Sequence, residues 1–293
     1  MTVLEVIQRS AEFLTRKEVE TPRLQVELLL AHLLRLPRMG LYLNFERQLT
    51  APELDQLREW VRRRGEREPL QHIIGSTSFC GLEMAVSREV LVPRPETELL
   101  AELGWKFLLQ QAGVTPMALD FGTGSGCLAI LLAAKCPAAS VEAVDISPEA
   151  LAIAQGNADR HGVAGRVRFR ESDGFAALER EARFDLIISN PPYIPSEEIA
   201  TLDPEVRDHD PRRALDGGAD GLEFYRRLAG EAAAFLRPGG RLMCEFGDGQ
   251  APAVAELLRT QMWIVETVLS DYSGCERILV AYRGPENGAT AAP

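Results

Sequence analysis

Gly122, Gly124 and Gly126 stand between a strand-like and a helix-like run in ALDFGTGSGCLAILLAA. Glycine there permits tight turning at positive φ and lets a ligand approach the backbone. The pattern is GxGxG, with Asp120 ahead of it and Thr123 and Ser125 between the glycines. The dinucleotide fingerprint is GxGxxG, and a Walker loop needs Gly-Lys-Ser/Thr; neither is present. Asp145 ends the next strand, 21 residues beyond Gly124, where a carboxylate can accept both hydroxyls of a ribose. These positions point to an adenosine-containing ligand. A diphosphate would want glycine space and helix N–H groups. S-adenosyl-L-methionine brings an ammonium, a carboxylate and a sulfonium, so an acid ahead of the glycines favours it. Asp173, followed by Gly174 and Phe175 in ESDGF, either faces the adenine amino group or makes only an Asp–Gly turn.

The second constellation is Asn190-Pro191-Pro192-Tyr193, directly after the apolar run Phe184–Ser189. Two prolines remove two N–H donors and stiffen the corner. The Asn190 side-chain oxygen and the Pro191 carbonyl can then converge as acceptors, and Tyr193 adds an aromatic wall. Such a site suits a planar –NH2 group. Its lone pair is delocalised, so acceptors that grip its two hydrogens orient it and stabilise the positive charge developing on nitrogen. Proximity to a sulfonium methyl completes an in-line displacement. Alone, the motif could be an Asn–Pro turn at a strand end; 68 residues after Gly122 it favours chemistry. The five cysteines and four histidines show no CxxC, HxxxH or HExxH spacing, so no metal site and no disulfide framework are expected.

The chain that must position these groups has 293 residues, 46% hydrophobic and 26% charged, enough for about two domains with a sizeable core. No apolar run reaches the length of a membrane span, and MTVLEVIQRSAEF lacks the basic and apolar regions of a secretory signal. A cytoplasmic protein is expected. Residues 1–70 carry 12 Lys+Arg against 11 Asp+Glu, whereas residues 71–293 carry 20 against 32. A net charge of −12 over the latter disfavours nucleic acid as the main ligand. The cluster Arg62-Arg63-Arg64, set among glutamates, reads as a solvated helix face.

Residues 1–70 have helical periodicity. Thr21-Pro22 reads as an N-cap with proline at N1, and Thr50 with Glu53 as a capping box. The helices form a small bundle without a glycine cradle or catalytic cluster, whose expected role is binding. Residues 71–75 and 78–86 lean toward β structure around Gly75-Ser76, and residues 71–92 are read as a β-hairpin linker. Within 93–283, a helix over 98–111 precedes strands at 117–121, 141–145, 167–171, 184–189, 240–246, 263–269 and 277–282. Helices fall at 127–135, 148–161, 221–236 and 251–261. This alternation predicts a doubly wound, Rossmann-like α/β sheet of seven strands. No helix separates the last two strands, so the final one should insert antiparallel. Residues 284–293 read as a disordered tail.

DFGTGSG, VDIS and NPPY in this order resemble a class I S-adenosylmethionine-dependent N-methyltransferase. VPRPETE (residues 92–98), SNPPYIP, RALDGGADGLEFYRRL, LRPGGRLMCEFGDGQ and TPRLQVELLLAHLL narrow the likeness to the release-factor glutamine methyltransferases, over nearly the whole chain. The resemblance implies methylation at N5 of the glutamine in the GGQ motif of peptide-chain release factors, S-adenosyl-L-homocysteine being the other product. It implies that the helical bundle docks the release factor and that Gly122–Gly126 and Asp145 hold the cofactor. Asn190 would contact cofactor and glutamine, and Pro191, Pro192 and Tyr193 would shape the glutamine slot. Gly174 stands where some members carry an aromatic residue, a role open to Phe175. An acidic enzyme would attract such a factor rather than RNA. A nucleic-acid base N-methyltransferase, a non-catalytic nucleotide-binding scaffold and a nicotinamide dehydrogenase are the rival readings. They are disfavoured by the charge, by NPPY with Asp145, and by GxGxG.

Overall fold

The computed structural model describes residues 1–111 and 115–284. The expected tail over 284–293 lies, beyond Gly284, outside the described residues. The chain divides into two compact units.

The first unit comprises Met1–Ser76 together with Leu202–His209. It contains α1 (Val3–Thr15), α2 (Pro22–Leu34), α3 (Arg38–Tyr42), α4 (Ala51–Gly65) and α5 (Leu70–Ile74). Val3, Ile7, Leu14, Leu29, Leu30, Leu41 and Leu57 form its core. Thr50 and Glu53 make the expected capping box on α4, and Thr2 and Glu5 make another on α1. Thr21 does not cap α2: its backbone is left-handed at φ 44°, and its side chain bonds no helix N–H. A capping side chain needs an extended backbone, so Pro22 starts this helix through its fixed φ instead.

Residues 71–74 are helical rather than extended, because Leu70 and Ile73, three apart, both bury in the helical core. The three arginines at the end of α4 also divide. Arg62 is exposed between Glu59 and Glu66, and Arg63 pairs with Glu68. Arg64 is buried, its guanidinium 2.8 Å from Glu205 Oε1 and 3.1 Å from Gln25 Oε1. Arg67 grips both Glu205 oxygens, at 2.7 and 2.6 Å. These bonds hold the distant segment Leu202–His209 in the helical unit, which periodicity could not anticipate.

The second unit begins at Thr77, within β1 (Ser76–Phe79), and continues with β2 (Leu82–Ala85). The hairpin turns at Cys80-Gly81 rather than at Gly75-Ser76, with φ 47° and 81°, the paired positive values that a tight two-residue connection demands. After α6 (Pro95–Leu109) come β3 (Met117–Phe121), α7 (Cys127–Lys135), β4 (Ser140–Asp145), α8 (Pro148–Arg160), β5 (Val167–Glu171) and β6 (Phe184–Ser189). The helices Glu223–Glu231 and Ala251–Thr260 flank β7 (Leu236–Glu245), and β8 (Trp263–Ser270) and β9 (Glu276–Arg283) follow. The helix expected over 221–236 ends early, as a 3₁₀ turn Ala232–Phe235.

The seven strands run in the order β5-β4-β3-β6-β7-β9-β8. The pairs from β5 to β7 are parallel, and β9 enters antiparallel between β7 and β8 as anticipated. Ala118, Leu186 and Ile188 face one apolar layer with α6 and α7, while Leu119, Phe121 and Ile187 face the other, with Tyr225, Val254 and Leu258. The chain proceeds outward from β3 to β5 and then returns to place β6 on the other side of β3. That reversal opens a crevice at the carboxyl ends of β3 and β6. The glycine loop follows one strand and the Asn-Pro-Pro-Tyr corner follows the other.

Burial pushes the Glu205 carboxyl up, but the hydrogen bonds from Arg67 and Arg64 hold it below the ordinary carboxylate range. Its contribution to stability is therefore present above the unfolded value of about 4.3 and is lost as pH falls through the depressed folded value. Glu205→Gln is expected to cost about 1–2 kcal/mol at neutral pH. In thermal melts the gap to wild type should close under strongly acidic conditions.

Candidate active site

The three glycines of the loop do different work. Gly122 and Gly124 have φ of 75° and 53°, and a Cβ on either would meet no atom within 4 Å, so they floor an open cavity. Gly126 (φ 81°) is a packing glycine: its Cβ would fall 2.9 Å from that of Ala154. The N–H groups of Gly122 and Thr123 both donate to the Val144 carbonyl, each at 2.9 Å, tying the loop to β4.

Asp120 is fully buried and does not reach the cavity wall. Its Oδ2 accepts from Thr123 Oγ1 at 2.6 Å and from the Ala129 N–H at 3.1 Å, stapling the loop to α7. Its Oδ1 is buried without a hydrogen-bond partner among the described residues. Burial pushes its carboxyl up to about 7, against the bonds from Thr123 and Ala129.

The cavity has a volume of about 630 Å³, within the range of small-molecule sites. Of the predicted residues, Gly122, Thr123, Gly124, Ser125, Asp145, Asp173, Gly174, Asn190 and Pro192 line it; Asp120, Gly126, Phe175, Pro191 and Tyr193 do not. Asp145 Oδ2 accepts from the Gly124 N–H at 2.8 Å and Oδ1 from the Ser147 N–H at 2.9 Å. Each oxygen keeps acceptor capacity, so the carboxylate fits a ribose diol. The open glycine floor and this carboxylate suit an adenosine-type cofactor. Ile146, 57% exposed on the cavity wall, adds an apolar surface for a flat ring. Its signal was an isoleucine directly after Asp145, where a solvated loop would favour a polar residue.

Asp173, after β5, differs from expectation. Arg227 Nη1 donates to Asp173 Oδ1 at 2.6 Å and Nη2 to its carbonyl at 3.0 Å. A Cβ on Gly174 would lie 2.3 Å from that guanidinium, so the glycine makes room for the arginine. Phe175 is buried beneath, its ring 4.9 Å from Phe121 and 5.1 Å from Phe235. It cannot stack on a ligand from there; the wall at this point is Gly174 and Arg227.

The Asn-Pro-Pro-Tyr corner is held from three sides. Asn190 Nδ2 donates to Thr97 Oγ1 at 3.0 Å, and Thr97 Oγ1 donates to Glu245 Oε2 at 2.7 Å. Burial pushes the Glu245 carboxyl up to about 7, against the hydrogen bond from Thr97. Gln250 Nε2 donates to the Tyr193 carbonyl at 2.9 Å while its Oε1 accepts from the Gly247 N–H at 2.9 Å. A Cβ on Gly217 would sit 2.9 Å from the Pro192 carbonyl, and one on Gly221 2.3 Å from the Tyr193 carbonyl. Tyr193 therefore packs into the core beside Gly247 rather than walling the cavity. Burial pushes its phenol up to about 12.

Comparison with known proteins bears on this geometry. The PrmC N-terminal domain model matches residues 5–75, and the methyltransferase small domain model matches residues 101–202. The release factor glutamine methyltransferase of Geobacter sulfurreducens is 44% identical over 278 residues, which cover 95% of each chain. That of Chlorobaculum tepidum is 43% identical over 282 residues, 94% of this chain and 95% of the relative. The chain belongs to the release factor glutamine methyltransferase family.

Within this family member, the methyltransferase small domain match contains both the glycine loop and the corner. The sheet is that of a class I methyltransferase, as in a crystal structure of a methyltransferase from Pyrococcus furiosus. That likeness has a TM-score of 0.53 and 22% identity, over 76% of this chain and 99% of the other. The motifs VPRPETE, DGGADG and FGDGQ surround the corner through Thr97, the close-approach glycines and Gln250 respectively.

Gly221 and Gly249 both have positive φ, at 73° and 74°, but only Gly221 lies against the corner. Gly249→Ala should cost about 1 kcal/mol from backbone strain alone. Gly221→Ala, which adds a collision with the Tyr193 carbonyl, should cost about 2–4 kcal/mol. Chemical denaturation of the two variants side by side checks the difference.

Proposed function

We propose that this methyltransferase transfers the methyl group of S-adenosyl-L-methionine to the side-chain amide nitrogen (N5) of the glutamine in the GGQ motif of peptide-chain release factors. The observation that carries this reading is the Asn190 carboxamide. Its NH2 end is turned into the protein on Thr97, and its oxygen is left for the cavity.

When bound, the cofactor supplies an electrophilic sulfonium methyl. The chain's own residues do the rest. The Gly122–Gly124 floor admits the cofactor close to the backbone, and Asp145 accepts the ribose hydroxyls. Ile146 offers an apolar face for the adenine, with Gly174 and Arg227 beside it. Asn190 Oδ1, on the cavity wall, accepts an amide hydrogen of the incoming glutamine, while Pro191 stiffens the corner from behind that wall. That grip aligns the nitrogen lone pair and stabilises positive charge as the bond to carbon forms. Pro192 shapes the slot, and Tyr193 steadies the corner from within the core.

The helical unit, residues 1–70, docks the body of the release factor. Met39 and Leu43 on and just after α3 are 66% and 89% exposed, and Tyr42 adjoins them, an apolar group suited to a protein partner. The enzyme works in the cytoplasm, where release factors are made. The net charge of −11 matches a protein rather than a nucleic-acid substrate.

Incubation with labelled S-adenosylmethionine and purified release factor, followed by peptide mapping, should place the label on the GGQ glutamine. Label on RNA instead would support base methylation. Asn190→Ala is expected to lower kcat about 10²–10³-fold and to leave cofactor Kd within about three-fold. Leu43→Asp should raise KM for the release factor about ten-fold, as loss of one interface anchor does, with kcat and cofactor Kd unchanged. An unchanged KM would remove this surface from docking.

A further inference from the structure

We infer that Thr97 is a positioning residue that fixes which end of the Asn190 carboxamide faces the cavity, with Glu245 holding the Thr97 hydroxyl in the required sense. This rests on the reading of Asn190 as the acceptor for the substrate amide. It goes further by saying why that side chain presents oxygen rather than nitrogen.

The two ends of a carboxamide have nearly the same shape, so only their hydrogen-bond partners distinguish them. A hydroxyl has a single hydrogen. At Thr97 that hydrogen is directed to Glu245 Oε2, 2.7 Å away. The Thr97 oxygen can then only accept, and the group 3.0 Å from it on Asn190 must be the NH2 end. Asn190 also helps to hold the Glu245 carboxyl down. The NH2 end is therefore directed into the protein, and Oδ1 remains. Thr97 and Glu245 are each 2% exposed, so solvent is kept from substituting for either partner.

The polarity of this chain is set at Glu245. Once ionised a carboxylate accepts and cannot donate, which forces the direction of every bond upstream. Burial, with Glu96 adding to it, pushes the Glu245 carboxyl up to about 7, while Thr97, Arg277 and Asn190 pull it back. Tyr193, Cys244 and Cys127 also feel its charge. The Tyr225 hydroxyl donates to the Glu245 carbonyl at 2.8 Å and anchors the backbone there.

The fold delivers the three residues from far-separated places. Ser189 on β6 pairs with Cys244 on β7, so the next residues, Asn190 and Glu245, stand side by side at the carboxyl end of the two strands. Thr97 lies in the first turn of α6, which Pro95 starts. A flipped carboxamide would point N–H groups at the N–H groups of the substrate and lose the grip. Thr97 therefore acts on turnover and not on cofactor binding.

The test is turnover of purified release factor by the full chain with Thr97→Val, Thr97→Ser and Asn190→Ala, assayed above the Glu245 value of about 7. Thr97→Val keeps the shape and removes the hydroxyl. It should lower kcat at least about ten-fold, with cofactor Kd and release-factor KM within about three-fold, a differential effect on the reacting state. Thr97→Ser restores the hydroxyl and should recover kcat to within about three-fold. Wild-type kcat in Thr97→Val would overturn the inference, as would equal losses in the valine and serine variants. Turnover surviving in Asn190→Ala would overturn the acceptor reading itself; a dead Asn190→Ala beside an active Thr97→Val would overturn only the relay. Should Thr97→Val melt below the assay temperature, selective ¹⁵N-asparagine labelling of the wild type decides. Slow solvent exchange of the Asn190 side-chain amide supports the relay, and fast exchange overturns it.

Discussion

A carboxamide works as a fixed acceptor only when its NH2 end is held elsewhere, and much of the second unit meets that condition. The parallel pairing of β6 with β7 sets Asn190 beside Glu245, and α6 brings Thr97 between them. Gly217 and Gly221 let other backbone approach the corner without a Cβ in the way. Gln250 then ties the Tyr193 carbonyl to the turn before the helix Ala251–Thr260. The two prolines limit the corner's own freedom, but these contacts decide its orientation.

The other half of the site is organised by charge placed out of reach of solvent. Asp120 and Glu245 are both buried with carboxyls pushed up to about 7, an arrangement that opposes folding by itself. The apolar layers on the two faces of the sheet offset it. In return, Asp120 fixes the glycine loop through Thr123 and Ala129. The loop can then stay open at Gly122 and Gly124 without losing its shape. Asp145, less buried and bonded by two backbone N–H groups, is the carboxylate that lines the cavity. Two acids near one loop thus differ by environment alone: one is buried and spent on the loop, the other lines the cavity.

The helical unit shows the same division between local and distant causes. Capping boxes at Thr2 and Thr50 start two of its helices from residues three positions apart. Its closure on Leu202–His209 depends instead on Glu205 meeting Arg64 and Arg67, well over a hundred residues earlier in the chain.

Periodicity and backbone chemistry by themselves determined the alternation of strands and helices, the glycine loop after β3, the acid ending β4 and the proline corner after β6. These features are local: apolar spacing, glycine φ and proline geometry act within a few residues. The helical stretch after Leu70 and the hairpin turn at Cys80-Gly81 carry no strong local signal, and there the structure departs from the pattern. Only the tertiary structure decided which loop residues face the cavity. Gly122 and Gly126 share a motif and a positive φ, yet one is open and the other is packed on Ala154. It also decided that Arg227, not Phe175, stands by Asp173, and that Thr97, 93 residues before Asn190, hydrogen-bonds it. A contact across that distance depends on strand order and helix placement, which no short window of sequence contains.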